Sequence, residues 1–110
     1  MYQRGLADAD GEPMYVVIFR AKVRQVDEEY LQMARKLRDL ALQEFGCYEF
    51  HAVTEGKEEI ALSYWPDENA IRRWKKQADH LLAQQRGRDE WYESYSVQIA
   101  EVVRSYGVRP

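Results

Sequence analysis

The chain has 110 residues, a formal net charge of -3 and a sequence pI of about 5.4. That length fits one domain, and the slight acidity argues against nucleic acid as the main partner, because such binders carry a basic surface. The apolar fraction of 45% is ordinary for a soluble globular protein, and a domain of this size buries a modest core that a second subunit would extend.

Several classes fall away on motif grounds. The single cysteine, Cys47, cannot form an intrachain disulfide, which suits a reducing compartment. No apolar run reaches membrane-spanning length, and the polar N-terminal stretch lacks a signal-peptide core. The expectation is a cytoplasmic protein with no membrane partner. There is no zinc-ligand spacing, no dinucleotide or phosphate-binding glycine loop, and no serine nucleophile elbow.

Residues 1–13 carry Gly5, Gly11, Pro13 and three acidic residues, and they read as a flexible lead-in to one domain over 14–110. Residues 14–23 are rich in β-branched and aromatic side chains and form the first strand. Tyr15, Val17, Phe19, Ala21 and Val23 make one apolar face. Met14, Val16 and Ile18 start the other, which turns polar at Arg20 and Lys22. A strand apolar on both sides needs cover on both sides.

Asp27 caps the next helix, with Glu28 and Glu29 at its positive end. Tyr30, Met33, Ala34, Leu37, Leu40, Ala41 and Phe45 recur at helical spacing, and Gly46 ends the helix. A hairpin follows over 47–55 and 58–65. Matching Tyr48, Phe50 and Ala52 with Ile60, Leu62 and Tyr64 requires an odd-length loop, such as Gly56-Lys57-Glu58. His51, Val53, Ala61, Ser63 and Trp65 then share the opposite face, whereas a slip of one residue sets His51 among the aliphatic side chains.

Pro66 stops the strand and Asp67 caps a short helix with Ala70, Ile71 and Trp74. The pattern predicts a break at Gln77-Ala78, then a second short helix over 79–86 that closes on Gly87. The last strand spans 92–106. Its apolar phase moves from Tyr95, Val97 and Ile99 to Ala100 and Val102, which indicates a bulge or two halves with different partners.

The order β-α-β-β-α-β specifies an α+β, ferredoxin-like fold: a four-stranded antiparallel sheet with helices on one face. The simplest cover for the other face is the same sheet of a second copy.

Val16 to Arg20, Tyr64-Trp65-Pro66-Asp67, Ala70-Ile71 with Trp74-Lys75, His80 with Ala83-Gln84, Gly87-Arg88 with Trp91-Tyr92, and the block 95–106 carry a family pattern. Through them the chain resembles the antibiotic biosynthesis monooxygenase superfamily of dimeric α+β barrels, over 14–107, and within it a small bacterial branch. The resemblance implies a homodimer with facing sheets, a last strand that reaches across, and a pocket in each subunit between sheet and helices. Better-studied members oxygenate polycyclic phenols to quinones without a cofactor. Another branch degrades haem, using an Asn on the first strand, a Trp in the helix and a His about ten residues beyond it. Trp74 matches that Trp, but Arg20 and Gln84 stand at the other two positions. Gln is a poor ligand for haem iron, although His80 lies one turn from Gln84.

Oxygenation without a cofactor needs an acidic substrate proton, a group that favours the anion, and a dry aromatic-walled cavity. His80 is the acid–base candidate, with a surface or helix-capping role as the alternative. The substrate-binding candidates are Trp74, Arg20, Trp65, His51 and Gln84. Trp74 also suits a core anchor, His51 a half-exposed strand residue, and Arg20 a strand-end ion pair. Trp91 and Tyr92 fit packing better than substrate contact, and Cys47 has no nucleophile signature. The first functional reading is a homodimeric oxygenase that uses neither metal nor flavin on a small aromatic or quinone-like substrate. The second is a non-catalytic binding or sensor protein on the same scaffold. The third is haem binding, which Arg20 and Gln84 oppose.

Overall fold

The computed structural model describes residues 13–85 and 88–108. The expected lead-in over 1–12 and the helix stop at Gly87 lie outside the described residues. The elements are β1 (Tyr15–Val23), α1 (Glu28–Glu44), β2 (Glu49–Glu55), β3 (Glu58–Trp65), α2 (Glu68–Gln85), α3 (Arg88–Trp91) and β4 (Tyr92–Glu101). The four strands form one sheet in the order β2-β3-β1-β4, with every neighbouring pair antiparallel. This is the expected ferredoxin-like arrangement.

Both helix starts follow from their caps. Asp27 Oδ1 accepts from the Tyr30 amide at 2.9 Å, and Asp67 Oδ1 from the Ala70 amide at 2.7 Å. Gly46 ends α1 with φ at 83°, a conformation that favours glycine. The Cys47 amide then returns to the Ala41 carbonyl at 3.1 Å, which satisfies one of the last helix carbonyls.

Three expectations are corrected. Glu55 pairs with Glu58, so the hairpin closes on the two residues Gly56-Lys57 rather than an odd-length loop. Gly56 has φ of 61°, which admits the primed two-residue turn that matches strand twist. His51 therefore opposes Leu62, Val53 opposes Ile60 and Phe50 opposes Ser63, one residue away from the expected register. Next, α2 runs unbroken through Gln77 and Ala78. Neither residue is a helix breaker, and Ala78 is buried. Finally, β4 ends at Glu101, and the register shift lies between Lys22 and Val23, which pair with Ser94 and Tyr92. Glu93 is the extra residue there. The single turn of α3 before β4 had no sequence signal.

Antiparallel partners point to the same side of a sheet, so the register assigns each face row by row. The helix-facing rows are Thr54–Glu59–Ala21–Tyr95, Ala52–Ala61–Phe19–Val97 and Phe50–Ser63–Val17–Ile99. The other face carries Val53–Ile60–Arg20–Ser96, His51–Leu62–Ile18–Gln98 and Glu49–Tyr64–Val16–Ala100. Its apolar centre (Val16, Ile18, Leu62 and Tyr64) is only half-buried, and Ile60 and Val53 are exposed.

Two clusters fill the space beneath the helices. One joins Ala21, Val23, Tyr30, Met33, Leu82, Trp91 and Tyr92. The other joins Val17, Ala41, Cys47, Trp65, Ala70 and Ile71, with Trp74 and Phe50 packed on it. Beyond β4, residues 102–108 leave the sheet after one bond, from the Val102 amide to the Met14 carbonyl at 2.9 Å. Val103, Tyr106 and Val108 are exposed along this stretch. No helix among the described residues is long and apolar enough to cross a membrane.

Candidate functional site

The helix layer covers β1 and β3 and stops short of β4. Tyr95, Val97 and Ile99 point to the helix side yet remain 45%, 39% and 46% exposed. An apolar strip therefore lies open beside the helices. Its upper end is aromatic. The Phe19 ring meets Tyr92 edge-on at 5.4 Å and stacks on Tyr95 at 6.1 Å, and Tyr92 lies 5.8 Å from Tyr95. Offset and edge-on geometries of this kind are the favoured aromatic arrangements. Tyr92 also approaches Tyr30 on α1 at 6.1 Å, and Tyr30 approaches Trp91 at 5.5 Å.

A carboxyl sits behind this wall. Glu59 occupies an inward position of β3 and is only 7% exposed. Its Oε1 accepts a short hydrogen bond from the Tyr30 hydroxyl. Burial pushes the Glu59 carboxyl above the usual carboxylate range, and the Tyr30 bond pulls it partly back. Burial, the neighbouring Tyr92 and Glu59 itself all hold the Tyr30 phenol well above its ordinary value, so it stays protonated. A buried carboxyl with a raised pKa beside an aromatic opening is the kind of group that marks functional sites.

The raised carboxyl has a consequence for stability. Between its unfolded and folded pKa the native state binds the extra proton, so Glu59 favours folding at low pH, and that contribution is lost as pH rises through the folded value. Glu59→Gln, which cannot ionise, should therefore gain in melting temperature relative to the parent between pH 5 and pH 8. A constant difference in thermal melts across that range would show that the carboxyl is not raised.

The sequence candidates do not converge. Trp65 is fully buried, and its indole N–H donates to Ser63 Oγ at 2.8 Å. Trp74 is half-buried between Trp65 at 5.5 Å and Phe50 at 6.1 Å, and its N–H donates to the Leu37 carbonyl at 3.1 Å. These two share a packed cluster. His80 and Gln84 are exposed on α2. Arg20 and His51 lie exposed on the sheet face away from the helices, where His51 Nε2 is 2.9 Å from Glu49 Oε1. Trp91 and Tyr92 are buried in the first cluster, and the Tyr92 ring also borders the strip through Phe19 and Tyr95. Cys47 is buried with its thiol pushed up to about 11 by burial, which leaves it a poor nucleophile.

Sequence reading passed over Glu59, Tyr30 and Tyr95. The usable signal was the alternation along β3, which sets Glu59 in phase with Ala61, Ser63 and Trp65. No group of three His, Cys, Asp or Glu among the described residues is placed to hold a metal ion. An open groove of about 420 Å³ follows the exposed side of α1, lined by Gln32, Arg35, Lys36, Asp39 and Leu40 among others, and it contains none of the site residues.

Comparison with known proteins places this architecture. No family model matches the chain. It is similar to the uncharacterised protein YqjZ of Bacillus subtilis, with 36% identity over 93 residues, covering 84% of this chain and 82% of that one. It is also 30% identical over 96 residues to jasmonate monooxygenase ABM of Pyricularia oryzae, covering 84% of this chain but spanning 45% of the fungal protein. Among solved structures, a variant of SnoaB, a cofactor-independent oxygenase from Streptomyces nogalater, superposes with a TM-score of 0.67 at 15% identity, covering 84% of this chain and 95% of SnoaB. With the relatives' sequence identity and the shared fold taken together, the chain belongs to the antibiotic biosynthesis monooxygenase superfamily.

Proposed function

We propose that the protein is a homodimeric oxygenase that acts without metal or flavin on a small phenolic or quinol-type aromatic, bound on the strip of Phe19, Tyr95, Val97 and Ile99. The observation that carries this reading is the open aromatic strip on the helix side of β4, with a buried carboxyl behind it. The names of the relatives support it: SnoaB is a cofactor-independent oxygenase and the fungal protein a monooxygenase. Membership alone does not transfer a reaction, because the fold hosts many.

The chemistry asked of the chain is limited. In the oxidation of anthrone to anthraquinone, the CH₂ carbon becomes a carbonyl and loses four electrons. Dioxygen accepts them, placing one atom in the new carbonyl and the other in water. The substrate anion supplies the electrons, so the protein must bind the aromatic rings, remove one proton and exclude bulk water. His80 and Gln84 face solvent in the single chain, so the proton-accepting role in this reading moves to the buried side of the strip.

The bare sheet face supports a second copy. Val16, Ile18, Leu62 and Tyr64 form a continuous apolar centre, a feature that monomers rarely leave open. Packing two such faces together buries it, and the apolar residues of 102–108 have the reach to lie on the partner.

Oxygen uptake by the purified protein with anthrone tests the reading. Uptake that saturates with anthrone and falls at least tenfold in Tyr95→Ala is expected. Tight anthrone binding without uptake would make the protein a binding or sensor protein instead.

A further inference from the structure

We infer that Tyr92, Tyr30 and Glu59 form a proton relay leading from the open aromatic strip to a buried acceptor. The inference rests on the oxygenase reading above and names the group that activates the substrate.

The geometry carries the argument. Tyr30 has one hydroxyl proton, and it goes to Glu59 Oε1. The Tyr92 ring meets Tyr30 edge-on at 6.1 Å, and with its own proton committed to Glu59 the Tyr30 oxygen has lone pairs left to accept a proton from that side. Tyr92 in turn packs against Phe19 and Tyr95, the residues that wall the strip. The line therefore begins at a ring bordering open apolar surface and ends at a carboxyl shielded from water.

The setting of Glu59 fits an acceptor rather than a structural brace. A carboxylate has about four lone-pair sites, yet Glu59 takes a single hydrogen bond among the described residues, and no cation pairs with it. Its row neighbours Thr54 and Ala21 carry no charge. Tyr30 from α1 is the titratable group that acts on it directly, and Tyr92 from β4 acts through Tyr30.

The step balances without a co-reactant. A substrate Ar–OH, which for anthrone is that of its enol tautomer, gives its proton to the Tyr92 oxygen. Tyr92 passes its own proton to the Tyr30 oxygen, and Tyr30 passes its own to Glu59 Oε1. The substrate becomes ArO⁻ and Glu59 becomes a neutral acid, while both tyrosines end as they began. The Tyr92 hydroxyl is left donating to the new anion, which holds it ready for dioxygen. Tyr30 and Glu59 act through Tyr92 and are positioning residues.

The test is the pH dependence of anthrone oxidation in the parent protein, Glu59→Gln, Tyr30→Phe and Tyr92→Phe, all close to isosteric. The parent should show an acid limb in kcat/KM. Glu59→Gln should lose that limb and about 100-fold in kcat, with KM changed less than about threefold. Tyr30→Phe and Tyr92→Phe should each lose at least tenfold in kcat. Variants that merely melt lower while keeping the parent's kcat and acid limb would overturn the relay and leave the oxygenase reading standing. A parent protein that does not oxidise anthrone defeats the oxygenase reading itself, and 4-nitrophenol then decides the relay. Bound phenolate absorbance at a pH where the free phenol is neutral, lost in Glu59→Gln, supports it, and identical spectra for the two proteins overturn it.

Discussion

Trp65→Ala should lower the unfolding free energy by about 3–5 kcal/mol, the usual range for truncating a buried large aromatic. Trp65 closes β3 at the foot of the sheet, fully buried, between Val17, Ala41 and Ile71 and against the Trp74 ring. Its removal opens a void that rigid neighbours from β1, α1 and α2 cannot close together. It also strands the Ser63 hydroxyl, which now accepts the indole N–H in a buried position. Domains of this size hold roughly 5–15 kcal/mol in all, so the variant should unfold at a much lower urea midpoint or fail to accumulate folded. Trp65→Phe keeps most of the volume and should recover more than half of the loss. A midpoint shift in Trp65→Ala equivalent to less than about 1 kcal/mol would mean that the two helices are not anchored there.

The second large effect concerns the bare sheet face. Ile18→Glu places a carboxylate in the row of His51, Leu62 and Gln98, at the centre of the apolar patch. Within the proposed dimer that charge would be desolvated with no designed partner. The dimer should weaken at least 100-fold, about 2.8 kcal/mol, and light scattering at micromolar concentration should report a folded monomer. Ser94→Glu, in the polar row with Lys22 and Glu58, is the control and should stay dimeric. A parent protein that scatters as a monomer would remove the partner subunit from the account.

Much of the fold was legible because each element announces its own limits. Asp27 and Asp67 cap where expected, Gly46 stops α1, and the two-faced apolar β1 lies at the sheet centre between β3 and β4. The hairpin register was misread for a physical reason. Alternation alone favours pairing Phe50 and Ala52 with the aliphatic set of β3, but both faces of this hairpin carry apolar residues, so the pattern is nearly degenerate. The turn decides, since Gly56 at positive φ closes a two-residue loop. The register moves only the β2 residues. Glu59 shares the face of Ala61, Ser63 and Trp65 in either phase, and in the structure it faces Tyr30 beneath the helices. Histidines drew attention because their pKa suits acid–base chemistry unperturbed, whereas a carboxyl acquires that suitability only through burial that the sequence does not display. The exposed strip on β4 was likewise invisible, because Tyr95, Val97 and Ile99 look like any core-facing alternation until the helices are seen to stop short of them.

The proposed oxygenase inserts oxygen using electrons from its substrate alone. The direct measurement is oxidation of anthrone under ¹⁸O₂ by chelator-treated, flavin-free protein, with dioxygen consumption and product mass followed together. One dioxygen consumed per anthraquinone formed and a single ¹⁸O atom in the quinone are expected. Anthraquinone without ¹⁸O, or no dioxygen consumed above the protein-free rate, would contradict the oxygenase reading.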